Sequence, residues 1–170
     1  MTVPFRIEAL GTTLDRTTFS CGVEALGRYF REQVTQDMRR RGTACYVAID
    51  EAEAKIAGFY TLAAGSVLLN DLPPEFVKRL PRYPSVPVAW LGRLAVDQGY
   101  RGRKLGGALL WDCLTRAIRS EVAVFALVVD AKDEAAEAFY RHHGFVAFGG
   151  RARQFILPLT QCVTGRKPGA

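Results

Sequence analysis

One stretch constrains the fold more than any other: a strand predicted over residues 88–96 leads directly into a turn rich in glycine and arginine. That turn, residues 98–107, opens a helix whose apolar side chains share one face. A turn of this kind directs several backbone N–H groups at one point, and the helix N-terminus adds partial positive charge. Because Arg101, Arg103 and Lys104 add full charges, the turn is suited to hold a pyrophosphate.

Two familiar phosphate-binding motifs do not fit this turn. It contains no Gly-Lys-Ser/Thr sequence, and it lacks the Gly-x-Gly-x-x-Gly spacing of dinucleotide-binding proteins. An ordinary glycine-rich strand–helix loop therefore remains an alternative interpretation at this point.

Hydrophobic periodicity and turn residues predict the order β, α, α, β, β, β, α, β, α, β, β, with a short extra helix that Asp71 caps and that ends near residue 80. The strands are predicted over residues 5–10, 44–49, 56–62, 88–96, 122–129, 145–148 and 154–157, and a turn over 51–54 joins the second and third into a hairpin. Helices are predicted from residue 22 or 23 to about 30, with a second or kinked continuation to 41 that Gly42 ends, and over 105–118 and 133–141, where Asp133 is the cap. The pattern is typical of a mixed α/β fold, with a central sheet of about six to seven strands flanked by about four helices.

The chain has 170 residues, 49% of them hydrophobic, which fits one domain with a real core. We expect a single domain over residues 5–158 and a short polar C-terminal tail over 159–170. The longest apolar runs are too short to cross a bilayer, and residues 1–10 lack the apolar stretch of a signal peptide. The expected compartment is the cytoplasm.

Basic residues are unevenly distributed. The net charge is +6, yet residues 1–140 are nearly neutral, whereas residues 141–170 carry five basic side chains and no acid. Residues 39–41 form a second cluster of three arginines. Arginine outnumbers lysine 18 to 5, which suits a polyanionic partner but is equally explained by a GC-rich genome.

The cysteines and histidines are not spaced as metal ligands, so no metal site is expected. Cys45 and Cys113 lie in apolar patterns that predict core thiols. Cys21, between Ser20 and Gly22, is expected to be exposed and is a weak candidate nucleophile.

The glycine turn resembles a known signature. Arg101-x-x-Lys104-x-Gly106 is similar to the acetyl-CoA motif of the GNAT N-acetyltransferases, normally Gln/Arg-x-x-Gly-x-Gly/Ala. Downstream, Val129-Asp130-Ala131 and a helix ending in Phe139-Tyr140, followed by Gly144-Phe145, resemble the last part of that family's domain. The order and the strand–helix context agree with the resemblance.

Further segments narrow the resemblance to the GNAT toxins of toxin–antitoxin systems, the TacT/AtaT group. They are Phe19-Ser20-Cys21-Gly22, Tyr83-Pro84-x-x-Pro87, residues 91–97 and residues 129–135. The resemblance covers roughly residues 5–158. It implies acetylation of the α-amine of aminoacyl-tRNA, which blocks translation, and a ribbon-helix-helix antitoxin as partner; a homodimer is compatible with it.

The same resemblance assigns roles within the site. Tyr140 would act as general acid toward the leaving sulfur, the alternative being an aromatic that only packs at a helix end. The residues that would bind acetyl-CoA are Leu94, Ala95, Val96, Arg101, Gly102, Arg103, Lys104, Leu105, Gly106, Gly107, Asp130 and Phe139. Asp97 is a candidate base, although a loop-capping role is the favoured interpretation.

Lys104 departs from the family pattern because it replaces the usual middle glycine. Its side chain either crowds the pyrophosphate or, if the residue adopts helical φ and ψ in the first turn, places an ammonium on a phosphate. We favour the second interpretation.

The candidate tRNA contacts are basic residues from both clusters and from the loops. They are Arg28, Arg31, Arg39, Arg40, Arg41, Arg79, Arg82, Arg93, Lys132, Arg151 and Arg153. Each has the alternative of solvated surface charge or an intramolecular ion pair. Together they predict a steep salt dependence of tRNA binding.

Two other functions remain open at the level of sequence. A GNAT enzyme could acetylate a small-molecule or protein amine, although the arginine clusters speak mildly against an acidic substrate cleft. A non-catalytic relative that binds CoA or nucleic acid is favoured only by Lys104 and is opposed by Tyr140. A neighbouring gene for a ribbon-helix-helix protein would favour the toxin.

Overall fold

Seven β-strands form one mixed sheet in this computed structural model, which describes residues 5–163. The strand order across the sheet is β1-β2-β3-β4-β5-β7-β6. In chain order the strands are β1 (Phe5–Ala9), β2 (Ala44–Asp50), β3 (Lys55–Leu68), β4 (Ser85–Val96), β5 (Ala126–Asp130), β6 (Val146–Ala147) and β7 (Gln154–Pro158). The predicted mixed α/β architecture is confirmed.

Each helix predicted from the sequence is present, and a further short helix lies in the segment predicted as a tail. The helices are α1 (Glu24–Arg28), α2 (Val34–Arg39), α3 (Pro74–Val77), α4 (Leu105–Ile118), α5 (Glu134–His142) and α6 (Thr160–Val163), with short 3₁₀ turns at Leu69–Asp71 and Gln98–Tyr100. A π-helical turn, Tyr29–Gln33, joins α1 to α2 without a break. The predicted kinked continuation is therefore one helical stretch with a π turn in its middle.

The end of α2 is a Schellman motif, but its left-handed residue is Arg41 rather than the glycine predicted to end the helix. Arg41 has φ +58°, and its N–H donates to the Met38 carbonyl over 3.0 Å. The Gly42 N–H donates to the Asp37 carbonyl over 2.9 Å. These two bonds satisfy carbonyls that a helix end otherwise leaves without donors.

The chain divides into two compact units. The first comprises residues up to Ala63 together with Gly92–Cys113, and the second comprises Ala64–Leu91 together with the residues from Leu114 onward. The single domain predicted over residues 5–158 stays a prediction, and each unit is described here by itself.

In the first unit, β1, β2 and the start of β3 form an antiparallel meander, with the predicted β2–β3 hairpin turn at residues 51–54. An aromatic cluster covers it: the rings of Phe30 and Phe59 are fully buried and stack at 4.2 Å, and Phe19 packs edge-on to both. At Gly58 an added Cβ would lie 2.8 Å from Leu109 Cδ1. Glycine at this position lets α4 approach the backbone of β3 closely.

The second unit has its own apolar core. Phe76, Val88, Val128 and Ile156 belong to a cluster of buried side chains built from α3, β4, β5 and β7. Strands β4 and β5 pair in parallel over four residue pairs, while β5 and β7 pair in antiparallel fashion. The segment preceding β5 differs from the prediction, because Val122 is 72% exposed and the strand begins only at Ala126. A continuous apolar run did not distinguish loop from strand here.

Three smaller expectations change. Asp71 lies in a 3₁₀ turn and does not cap α3, whose N-cap is Pro73. Cys21 is buried, contrary to expectation, and its thiol donates to the Val23 carbonyl over 3.5 Å, whereas Cys45 and Cys113 are core thiols as predicted. The predicted tail begins with helix α6, in which Cys162 is buried; the basic residues Arg166 and Lys167 lie outside the described residues.

Candidate active site

The residue directly after strand β4, Asp97, organises the turn that follows. Asp97 caps the 3₁₀ turn by accepting from the Gly99 N–H over 2.9 Å, and its second oxygen accepts from the Ser20 N–H over 3.0 Å. The Asp97 N–H donates to the Ala57 carbonyl. With both carboxylate oxygens accepting backbone hydrogen bonds, Asp97 fills the loop-capping role favoured from the sequence.

Arg101 anchors the turn to the segment before α1. Its Nη2 donates to the Cys21 carbonyl over 2.8 Å. An added Cβ at Gly22 would lie 2.5 Å from that same nitrogen, and Gly22 has φ +88°. The Phe19–Gly22 segment, singled out in the sequence by its resemblance alone, therefore serves to hold the glycine turn in place.

Tyr100 links the turn to the β2–β3 hairpin. Its hydroxyl donates to Asp50 Oδ2 over 2.6 Å, and Asp50 Oδ1 accepts from the Ala52 N–H. The hydrogen bond from Tyr100 is the main cause that lowers the pKa of Asp50 below its ordinary value. Burial, followed by the Asp50 hydrogen bond, raises the pKa of Tyr100 to about 12. The Arg103 guanidinium lies 5.1 Å from the centre of the Tyr100 ring.

Lys104 corrects the expectation of a helical residue in the first turn. Its φ is +59°, the left-handed region that favours glycine, and the helix begins one residue later at Leu105. The preceding Gly102 also has positive φ, +79°. Lys104 therefore adopts a backbone conformation that favours glycine while carrying a side chain that is exposed.

The N-terminus of α4 is the part of this turn best suited to an anion. A helix leaves its first N–H groups without intrahelical acceptors, and here they belong to Leu105, Gly106 and Gly107. The Arg101 side chain already donates to the Cys21 carbonyl, and the Arg103 guanidinium already lies against the Tyr100 ring. The Lys104 ammonium enters no hydrogen bond or ion pair within residues 5–163. Backbone donors and one lysine thus fit a pyrophosphate.

The predicted pantetheine-binding residues lie at the end of β4. Pairing with β5 runs from Val88–Ala126 to Leu91–Val129. Leu94, Ala95 and Val96 therefore follow the last residue of β4 that pairs with β5. Ala95 is buried in the core of the first unit, and its two neighbours are half-buried.

Tyr140 is fixed by the end of α5 in the second unit. Asp133 caps this helix, as predicted, by accepting from the Ala136 N–H over 2.8 Å. Tyr140 is 6% exposed and packs edge-on to Phe145 with ring centres 5.4 Å apart. After the helix, Gly144 takes φ +93° and the Phe145 N–H returns to the Tyr140 carbonyl over 3.1 Å.

The two remaining predicted acetyl-CoA contacts also lie in the second unit. Asp130 ends β5, is exposed and pairs in register with Gln154. Phe139 is half-buried, and its ring lies 4.7 Å from that of His143.

The basic candidates divide into engaged and unengaged side chains. Arg31 donates to the Phe19 carbonyl over 2.7 Å and pairs with Glu24, so the alternative of an intramolecular ion pair holds for it. Arg28 also approaches Glu24, at 3.8 Å, and Arg153 pairs with Glu137 at 3.5 Å. Among the described residues, the exposed candidates without a hydrogen bond, ion pair or ring contact are Arg39, Arg40, Arg41, Arg79, Arg82, Lys132 and Arg151.

Arg93 belongs to a cluster that sequence reasoning missed. Its guanidinium lies 3.5 Å from the centre of the Tyr29 ring, and the Tyr29 hydroxyl donates to Asp37 over 2.8 Å. Burial, followed by that hydrogen bond, raises the pKa of Tyr29 to about 12. No local pattern pairs Arg93 with a tyrosine 64 positions earlier in the chain, so no signal could have revealed the contact.

No group of three or more metal-ligating side chains occurs within residues 5–163. Over the same residues, no helix combines the length and apolarity needed to span a membrane.

In this mixed sheet the fourth strand, β4, leads through a glycine turn into the N-terminus of α4, which is an arrangement suited to a phosphate-bearing ligand. Residues 12–145 match the model of the acetyltransferase (GNAT) family. This match covers most of the chain, which therefore belongs to the GNAT family.

Three similar proteins give the comparison more detail. A tRNA-acetylating toxin of Mycobacterium tuberculosis (strain ATCC 25618 / H37Rv) is 36% identical over 133 residues, which are 77% of this chain and 78% of that protein. The structure of AtaT complexed with acetyl-methionyl-tRNAfMet has a TM-score of 0.85 and 25% identity, covering 95% of this chain and 98% of that one. The structure of AtaTR bound with acetyl-CoA has a TM-score of 0.80 and 25% identity, covering 94% and 96%.

Proposed function

We propose that this protein is an acetyl-CoA-dependent N-acetyltransferase that acetylates the α-amine of aminoacyl-tRNA and so blocks translation. The observation that carries the proposal is the 36% identity to a tRNA-acetylating toxin over most of both chains. The similarity to AtaT complexed with acetyl-methionyl-tRNAfMet points to the same product class.

Acetyl-CoA would be held at the end of β4 and the start of α4. Extended backbone at Leu94, Ala95 and Val96 suits the amide-bearing pantetheine arm, which can hydrogen-bond in the manner of a strand. The N–H groups of the turn and the exposed Lys104 suit the pyrophosphate. Asp130 and Phe139 remain proposed contacts on the basis of the resemblance.

Two bonds form and two break in the reaction. The α-amine nitrogen bonds to the acetyl carbonyl carbon and releases a proton to solvent, while the carbon–sulfur bond breaks and the sulfur takes up a proton. We assign the proton donated to sulfur to the hydroxyl of Tyr140, which then regains a proton from solvent. An ordinary phenol has a pKa near 10, so it carries its proton at neutral pH.

The amine needs little help from a strong base. A free α-amine has a pKa of about 7.7–8.0, compared with about 10.4 for lysine, and esterification lowers it further. A substantial fraction of the substrate is thus already unprotonated at pH 7. The capping role of Asp97 agrees with this requirement, because both oxygens of that carboxylate already accept hydrogen bonds.

The tRNA backbone would contact the unengaged basic residues, with Arg39, Arg40 and Arg41 forming the densest group. Arg93 is a further proposed contact, held in place by the ring of Tyr29. A ribbon-helix-helix antitoxin is the proposed protein partner, and the cytoplasm, where charged tRNA is found, is the proposed location.

The experiment is cell-free translation with purified protein, with and without acetyl-CoA. We expect synthesis to stop only when acetyl-CoA is present, and fresh charged tRNA to restore it. Tyr140→Phe should bind acetyl-CoA with unchanged affinity and lose about 10²-fold or more in kcat, because general acid catalysis typically contributes that much. Inhibition without acetyl-CoA, or an unchanged kcat in Tyr140→Phe, would contradict the proposal.

A further inference from the structure

The loop that follows α3 presents an aromatic ring among cations. We call residues 78–83 the basic loop; it contains Lys78, Arg79, Arg82 and Tyr83. Within residues 5–163, Tyr83 is 69% exposed, whereas the next most exposed aromatic among the large hydrophobic residues, Trp111, is 38% exposed. A ring this exposed in a charged loop makes no contribution to the core.

The polar groups of the basic loop are not used within the chain. Among residues 5–163, the side chains of Lys78, Arg79, Arg82 and Tyr83 form no hydrogen bond, ion pair or ring contact. Arg31, in contrast, is tied to a carbonyl and a carboxylate. Three unpaired cations in six residues, with no acid among them, create a local field that attracts a polyanion.

The basic loop is nevertheless held at both ends. Before it, Phe76 is buried and packs edge-on to Phe125 with ring centres 6.3 Å apart. Within it, Leu80 packs against the core of the second unit. After it, the Pro84 carbonyl accepts from the Leu69 N–H over 2.9 Å. Because Pro81 and Pro84 also fix backbone φ, little conformational entropy remains to be lost when a ligand binds Tyr83.

An exposed ring flanked by cations has a specific chemistry toward nucleic acid. The ring stacks on the face of any base, while the cations contact phosphates. A base inside a duplex does not offer its face, but a base in an unpaired strand does. The unpaired segment of an aminoacyl-tRNA that must reach an acetyltransferase is its 3′ end, which carries the amino acid.

We propose that Tyr83 stacks on a base of the unpaired 3′ end of aminoacyl-tRNA and that Lys78, Arg79 and Arg82 contact the adjoining phosphates. This inference rests on the proposed function and deepens it, because it names the part of the substrate that the basic loop binds. Tyr83 is a substrate-binding residue in this account and takes no part in proton transfer.

The experiment measures the affinity of the full-length protein for a charged tRNA and for the same tRNA lacking its unpaired 3′ nucleotides. Tyr83→Ala should weaken binding of the intact tRNA by about 10-fold, since removing a stacked aromatic typically costs a factor of this size or more. Tyr83→Phe should retain the affinity of the wild type. For the truncated tRNA, wild type and Tyr83→Ala should bind equally, because the base that stacks is gone.

Matched controls separate the basic loop from general effects. Arg82→Ala should weaken tRNA binding and reduce its salt dependence. Arg119→Ala, which removes another exposed arginine directly after α4, should have a much smaller effect. Acetyl-CoA affinity should be unchanged in Tyr83→Ala, which also shows that the variant is folded.

Equal binding of intact tRNA by wild type and Tyr83→Ala would overturn the inference, as would a Tyr83→Ala loss that persists on truncated tRNA. A result in which Tyr83→Ala binds tRNA normally but a partner protein poorly would overturn it in favour of a protein-docking role. If wild type itself neither binds nor acetylates charged tRNA, the proposed function fails and the inference fails with it. If the wild type acetylates charged tRNA and Tyr83→Ala binds that tRNA as tightly as the wild type, the inference about Tyr83 fails while the proposed function stands.

Discussion

Lys104 allows the most informative single substitution, Lys104→Gly, because one change tests both backbone strain and ligand binding. Lys104 has φ +59° directly before α4. A left-handed conformation costs a non-glycine residue about 1–2 kcal/mol. Glycine gives back about 0.5–1 kcal/mol through its larger unfolded-state entropy. The variant should therefore be about 0.5–1 kcal/mol more stable, which raises Tm by about 1–4 °C in a chain of this length.

Acetyl-CoA affinity should move in the opposite direction. The exposed Lys104 side chain has no hydrogen-bond or ion-pair partner within residues 5–163, and its residue directly precedes the N–H groups that suit the pyrophosphate. Losing one solvent-exposed charge contact to phosphate should weaken binding by about 5-fold at low salt, corresponding to about 1 kcal/mol. The difference should shrink as ionic strength rises, because salt screens exposed charges.

Isothermal titration calorimetry with acetyl-CoA and thermal unfolding of the free protein measure the two effects separately. Lys104→Met serves as the matched control, since it removes the charge and keeps a side chain at positive φ; it should lose affinity without gaining stability. An unchanged or lower Tm in Lys104→Gly would refute the strain argument. A higher acetyl-CoA affinity in Lys104→Gly would refute the ammonium contact and show that the side chain crowds the site.

The remaining predictions concern the supports of the site. Tyr100→Phe should lower Tm at pH 7, and the loss should shrink progressively as pH falls below 3.8, the ordinary pKa of Asp50. A carboxylate with a lowered pKa contributes its full stability above the ordinary value and loses it as pH falls through the folded-state pKa. A Tm difference that stays constant from pH 7 down to acid unfolding would contradict this. Arg93→Lys should weaken tRNA binding although the positive charge is kept, because a lysine ammonium does not stack on the Tyr29 ring as a planar guanidinium does. Equal tRNA affinity of the two proteins in filter binding would argue that Arg93 acts only as a charge. Gly58→Ala should destabilise the protein by about 1–3 kcal/mol in urea unfolding, because the new methyl group would meet Leu109 and the Ala95 carbonyl; an unchanged midpoint would contradict that close approach.

The sequence predicted the parts of the fold that depend on local pattern. The strand, glycine turn and helix around residues 88–118 were recognisable because period-two, turn and period-3.6 signals follow each other there. The Asp133 cap of α5 was predicted because aspartate directly before a helical segment is a favoured N-cap residue. The exposure of Val122 was not predicted, because a short apolar run has the same composition in a strand and in the loop that precedes the strand.

In the candidate site, too, features with a local sequence pattern were predicted and contacts made by tertiary packing were not. Resemblance to a motif located the turn and Tyr140, but the backbone conformation of Lys104 could not be inferred from the motif it departs from. The contacts of Tyr100 with Asp50, Arg101 with Cys21 and Arg93 with Tyr29 join residues 50 to 80 positions apart. Such contacts depend on tertiary packing and leave no trace in local pattern.

Transfer of labelled acetyl from acetyl-CoA to bulk charged tRNA, followed by mild base and mass spectrometry of the released material, tests the central claim most directly. The account predicts label in the tRNA fraction that is released as N-acetyl amino acid, none with uncharged tRNA, and almost none with Tyr140→Phe. The released amino acid would identify the preferred tRNA. Label that stays on the tRNA nucleotides after mild base, or the absence of label in tRNA from a protein that binds acetyl-CoA, would contradict it.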